Sequence, residues 1–136
     1  MRSLTLEAKT ENLDRAVAFA ESFSEENGCP AKAGMQIALA VEELFVNIAR
    51  YAYAPPGGGV TIAAEALQDP KGVKFVFTDS GVPYDPLAKE DPDIALPAEE
   101  RQIGGLGIYL VKKTMDEVSY ARENGQNRLT IVKRFR

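Results

Sequence analysis

Ala40-Val41-Glu42-Glu43-Leu44-Phe45-Val46-Asn47 lies inside the longest run of helical periodicity in the chain. Met35, Ile37, Ala38, Val41, Leu44, Phe45 and Ile48 recur at α-helical spacing, which predicts a helix from near Ala31 to about Tyr51. The stripe is too wide for one neighbour, so this helix must pack on more than one side. Gly28-Cys29-Pro30 breaks the pattern before it and Ala54-Pro55-Pro56-Gly57-Gly58-Gly59 breaks it after. Upstream, Leu13, Ala16, Val17, Ala20 and Phe23 predict an earlier helix with Asn12 as its cap. Leu4 and Leu6 alternate with polar neighbours as a first strand. Downstream, 60–67 alternates as a strand and 73–78 reads as a more buried one. The short polar link 68–72 makes the two antiparallel. A third helix opens at Gly105-Leu106-Gly107 and runs to about Met115. Strands at 117–122 and 128–135 follow, joined by the turn residues Glu123-Asn124-Gly125-Gln126. Strand, two helices, two strands, long loop, helix, two strands predicts an α/β sandwich of the α+β kind. Its sheet is expected to be mixed but mostly antiparallel, with the helices on one face.

The chain of 136 residues, 45% hydrophobic and 26% charged, has the size and composition of one domain, expected to span 1–136. The net charge of −4 gives no basic excess, so direct nucleic-acid binding and anionic-membrane binding are not expected. No apolar run approaches the roughly 18 residues of a membrane span. Met1 to Glu7 has no signal-peptide core, so a cytoplasmic protein is expected. The chain has no His, which excludes Ser-His-Asp and Cys-His catalysis, His-ligated metals and a phospho-accepting His. A single cysteine, Cys29, cannot form an internal disulfide or a thiolate zinc site. The chemistry left is that of carboxylates, amides, hydroxyls, Lys, Arg and backbone.

Three short constellations carry such chemistry. Glu43 and Asn47 are four apart and share one helix face. A carboxylate can take a proton or orient a hydroxyl, and an amide oxygen suits Mg²⁺, which commonly bridges to phosphates. The bland alternative is a solvated face with an ordinary i,i+4 contact. Asp79 stands at the tip of an apolar strand, followed by Ser80-Gly81. A carboxylate there can accept from a purine amino group, and Gly81 lets backbone approach a flat ring. The alternative is a plain Asp-Ser-Gly turn. Gly104-Gly105-Leu106-Gly107 precedes a helix, whose N-terminal N–H groups and dipole favour phosphate. It is neither a Walker motif nor the dinucleotide fingerprint. The alternative is a hinge. Between the second and third constellations, 79–105 holds four of the eight prolines and many acidic residues. Too little chain follows it for a second core, so it is expected to be a lid over about 84–104. Arg101 in that lid can meet a terminal phosphate or pair with Glu99 or Glu100.

Together, E-x-x-x-N on a helix, D-x-G at a strand end and G-x-G opening a helix resemble the GHKL ATPases, the superfamily of gyrase, a heat-shock chaperone, histidine kinases and MutL proteins. The chain is most similar to the bacterial anti-sigma-factor serine/threonine kinases. The resemblance is carried by Ala40–Asn47 with Tyr51-Ala52-Tyr53, by Asp79-Ser80-Gly81-Val82-Pro83-Tyr84-Asp85-Pro86 and by Gly104-Gly105-Leu106-Gly107-Ile108-Tyr109-Leu110-Val111. Asp116-Glu117-Val118 and Asn127-Arg128-Leu129-Thr130 extend it over almost the whole chain. It implies the Bergerat ATP-binding fold, with ATP and Mg²⁺ as ligands. Glu43 would be the catalytic carboxylate and Asn47 the Mg²⁺ ligand. Asp79 would take the adenine amino group with Gly81 beneath the base. Gly105, Leu106 and Gly107 would serve the phosphates, and Arg101 the γ-phosphate. Such kinases phosphorylate a Ser or Thr of a STAS-type anti-sigma-factor antagonist and hold a sigma factor in the alternate partner state. Many are homodimers, which points to the first strand or first helix as an interface. The family often has His four residues after the helix Asn, where this chain has Tyr51. The alternative is a non-catalytic nucleotide-binding or partner-sequestering module. A plain ATPase is a third reading.

Overall fold

The helix predicted from Ala31 occupies Ala31–Tyr51 (α2), and its width of apolar surface is used in full. Ile37, Val41, Leu44, Phe45 and Ile48 are all buried. In this computed structural model, which describes residues 1–88 and 105–135, α2 packs against a helix on either side, Leu13–Glu26 (α1) and Gly105–Thr114 (α3). The α1 stripe buries Ala16, Ala20 and Phe23, small residues letting α1 lie close to its neighbours. Phe23 meets Phe75 edge to face at 6.0 Å between centroids, a preferred aromatic geometry. No helix among the described residues is long and apolar enough to cross a membrane.

Five strands form the sheet: Arg2–Glu7 (β1), Gly59–Leu67 (β2), Gly72–Asp79 (β3), Glu117–Glu123 (β4) and Gln126–Arg134 (β5). Their spatial order is β1-β2-β3-β5-β4. Every neighbouring pair is antiparallel, so the sheet is not mixed as the sequence suggested. The reason is parity. Two helices separate β1 from β2 and carry the chain over and back, whereas a single crossover helix would have made those strands parallel. Between β3 and β5, α3 and β4 have the same effect.

The inward face is set by strand alternation. Val60, Ile62 and Ala64 point to the helices from β2, and Val73, Phe75 and Phe77 from β3. Leu129 and Ile131 do so from β5. Burying each large aliphatic or aromatic side chain contributes about 1.5–3 kcal/mol, so this layer supplies most of the driving force. The same alternation brings polar residues inward at one end of the sheet. The register pairs Asp79 with Asn127 and Asn127 with Arg122. The pairing of Asn127 with Arg122 is fixed by the hairpin Asn124-Gly125, whose φ values of 53° and 75° match a two-residue turn with both central residues left-handed. The α1 cap differs from expectation. The Asn12 side chain makes no cap bond, and its Nδ2 instead donates to the Glu7 carbonyl at 2.9 Å, tying α1 to the end of β1.

Candidate functional site

Glu43 and Asn47 meet on α2 as their spacing requires. Asn47 is buried, and its Nδ2 donates to the Glu43 carbonyl at 2.7 Å and to Glu43 Oε1 at 3.0 Å. This uses the amide's donor group and turns its Oδ1 away, free of hydrogen bonds among the described residues. Glu43 Oε2 is likewise unbonded. Gly107, in the first turn of α3, lies directly on this carboxylate. A Cβ there would fall 2.2 Å from Glu43 Cδ, so only glycine leaves the acid in place. The sequence had separated these residues by sixty positions, and the packing of α3 on α2 brings them together. Gly105 is the first residue of α3, followed by Leu106. Arg101 and most of the expected lid lie outside the described residues.

Asp79 forms the second cluster. It continues the inward series Val73, Phe75, Phe77 and is 3% exposed. Its Oδ1 accepts from the Gly81 N–H at 2.9 Å and from Asn127 Nδ2 at 3.0 Å, while Oδ2 takes no hydrogen bond among the described residues. Gly81 sits against the residue that ends α2: an added Cβ would lie 2.1 Å from the Ala52 carbonyl oxygen, which accepts from the Val82 N–H at 2.8 Å. The loop after Asp79 is gripped from three other directions. Tyr53 Oη accepts from the Ser80 N–H and donates to the Gly59 carbonyl. Arg122 donates to the Gly81 carbonyl at 2.7 Å, and Asn127 donates to the Val82 carbonyl at 2.7 Å. Tyr51 rests on Tyr84, the ring centroids 5.3 Å apart. Arg122 was not singled out from sequence, and Tyr53 and Asn127 stood only among the residues that carry the resemblance, with no role given to them. Their signal is strand phase: Asn127 lies two residues before inward-facing Leu129, and Arg122 two after Tyr120.

The clusters are joined by α2. Glu43 stands nine residues before Ala52, about 13 Å along a helix axis, on the order of the length of a nucleoside triphosphate. One end offers a buried acceptor and a glycine at the backbone. The other offers a carboxylate, an amide oxygen and a helix N-terminus with its positive dipole. The described residues therefore fit a purine nucleotide. A groove of about 580 Å³ opens between α2 and α3, lined by Glu43 and Gly107 together with Leu39, Val46, Arg50 and Leu110 among others. Leu39 and Leu110 are exposed there.

Residues 6–133 match the family model described as a histidine kinase-like ATPase domain. The chain belongs to that family. Within it, the chain groups with protein serine/threonine kinases. It is 30% identical over 102 residues to the serine/threonine-protein kinase BtrW of Bordetella bronchiseptica, covering 75% of this chain and 71% of that one. It is 31% identical over 91 residues to the serine-protein kinase RsbW of Bacillus cereus, covering 64% of this chain and 56% of the relative. The fold is similar to that of a Mycobacterium tuberculosis protein with RsbU and RsbW domains, at a TM-score of 0.64 and 16% identity, over 98% of this chain and 32% of that one. A histidine kinase domain of a blue-light activated kinase from Erythrobacter litoralis is also similar, at a TM-score of 0.56 and 13% identity, over 96% of this chain and 62% of the other.

Proposed function

We propose that this chain is an ATP-dependent protein serine/threonine kinase that phosphorylates a STAS-type anti-sigma-factor antagonist and holds a sigma factor in the alternate partner state. The observation that carries it is the Glu43 carboxylate, anchored through Oε1 by Asn47, seated under Gly107 and with Oε2 unbonded among the described residues. A module that only sequesters a partner has no need of a carboxylate so placed.

ATP is read at the Asp79 end. Asp79 Oδ2 accepts from the adenine amino group, and Gly81 lets the base lie against backbone. Gly105, Leu106 and Gly107 offer the α3 N-terminus to the phosphates, with Arg101 of the lid as a γ-phosphate contact. Mg²⁺, a hard cation that keeps several waters and takes few protein ligands, would be held by Asn47 Oδ1 and would neutralise charge on the phosphates. Glu43 would accept the proton of the acceptor hydroxyl as that oxygen bonds to the γ-phosphorus, while the bond from that phosphorus to the β–γ bridging oxygen breaks and ADP leaves. Positioning and electrostatics dominate such a transfer, and little covalent work falls to the protein. The apolar groove that Glu43 lines supports a protein acceptor. Homodimerisation belongs to the same proposal, supported by β1 lying at the edge of the sheet.

The test is transfer of radiolabelled γ-phosphate from Mg²⁺-ATP to a purified STAS-type antagonist, with Glu43→Gln as control. Labelled Ser or Thr that disappears in the variant is the expected result. Tight partner binding without any transfer by the wild type would leave a sequestering module instead. Light scattering of the purified chain decides the dimer.

A further inference from the structure

Asn127 is 2% exposed and makes four hydrogen bonds, the capacity its amide offers when each N–H and each oxygen lone pair is used once. Nδ2 donates to Asp79 Oδ1 at 3.0 Å and to the Val82 carbonyl at 2.7 Å. Oδ1 accepts from the Tyr84 N–H at 3.4 Å and from Tyr120 Oη at 2.5 Å. The orientation of the amide follows from its partners. A carbonyl and a carboxylate must face the NH₂ group, and a backbone N–H must face the oxygen. Tyr120 therefore donates its hydroxyl proton to Asn127.

We infer that Asn127, locked by Tyr120, is the positioning residue that makes Asp79 selective for a purine with a 6-amino group. This rests on the kinase reading above, in which Asp79 meets the base. With Oδ1 occupied by the Gly81 N–H and by Asn127, the Asp79 carboxylate cannot rotate freely, and Oδ2 alone faces a ligand. An ionised carboxylate oxygen only accepts, so Oδ2 takes the 6-amino group of adenine and rejects the 6-carbonyl of hypoxanthine or guanine. Asn127 also holds the Val82 carbonyl and the Tyr84 N–H, fixing the loop on which Gly81 approaches the base. Remove the Tyr120 hydroxyl and the Asn127 oxygen keeps only the 3.4 Å bond from the Tyr84 N–H, so the amide orientation that serves Asp79 is held less strongly. A turned amide presents an oxygen to the Asp79 carboxylate, which then swings away.

The experiment is calorimetric titration of ATP and ITP, with Mg²⁺, into wild type, Asn127→Ala and Tyr120→Phe, each checked by thermal denaturation. The wild type is expected to prefer ATP clearly. Asn127→Ala should lower the ATP:ITP affinity ratio by about tenfold or more, the scale on which losing a hydrogen bond to a charged group acts. Tyr120→Phe should lower it by about threefold or more, on the scale of a neutral hydrogen bond. Its half-buried ring stays in place, so that variant carries the test even where Asn127→Ala does not fold. A lowered melting temperature with the wild-type ratio intact would mean a merely structural role and overturn the assignment. No preference for ATP in the wild type would overturn the placement of the base at Asp79, and this assignment with it.

Discussion

Glu43 and Gly107 behave as one unit. Glu43→Gln keeps the length of the side chain and an oxygen for the Asn47 N–H, but removes the ability to take a proton. Phosphotransfer is expected to fall by about 10²–10⁴, the range general-base catalysis supplies. ATP affinity measured by calorimetry should stay close to wild type, because the proposed contact to the base is at Asp79. Gly107→Ala tests the same carboxylate from the other side. The new methyl would fall 2.2 Å from Glu43 Cδ, and the flexible acid yields before the helix does. Ala is favoured over Gly in a helix by about 1 kcal/mol, so urea denaturation should show stability held or raised. Phosphotransfer should nevertheless drop by about 10²-fold, since misplacement of a catalytic group by an ångström can cost that much. A less stable but fully active variant would show that Gly107 serves packing alone.

Elements decide where these residues meet. Tyr53, just beyond α2, links the loop before β2 to the loop after β3 through one hydroxyl. Tyr53→Phe leaves a carbonyl and an N–H without that partner, which should lower unfolding free energy by about 1 kcal/mol. It should also weaken ATP binding a few-fold, because Ser80 adjoins Asp79. Denaturation and calorimetry on the same preparation measure both. The helix carrying Glu43 and Asn47 was legible from periodicity alone, because a long, wide apolar stripe has one regular solution. Asp79 was legible because it ends a strand of alternating apolar residues. Asn127 was not, because its role depends on which strand lies beside β3, a pairing of residues 48 apart in sequence. The wrong expectation of a mixed sheet has the same origin. Strand direction follows from how many elements intervene and which strands end up adjacent, and single-segment patterns carry neither. Asn12 shows the limit for caps: a carbonyl of β1 competed for its amide, and tertiary placement won.

At the scale of the whole molecule, the two halves of the site hang on the C-terminal half of one helix, one at Glu43 and Asn47 and the other at its C-terminus, and that helix is buried on several sides. A ligand spanning them couples the end of the sheet to the start of α3, so binding should register as global stability. At a concentration of ATP one hundred times its dissociation constant, a ligand that binds only the folded state adds about 2.7 kcal/mol. For a domain of this length each kcal/mol raises the melting temperature by about 3–5 °C. Mg²⁺-ATP is therefore expected to raise the wild-type midpoint by roughly 10 °C. Glu43→Gln should keep that rise and Asp79→Asn should lose most of it at the same ligand concentration. The amide oxygen at 79 can serve the Gly81 N–H and Asn127 Nδ2 or the ligand's amino group, but the NH₂ group then meets the other of these. All of these are donors. Differential scanning fluorimetry with and without nucleotide separates the two halves of the site in one measurement. Equal loss of the shift in both variants would mean that Glu43 contributes to binding itself, and the division between a base-reading end and a transfer end would fail.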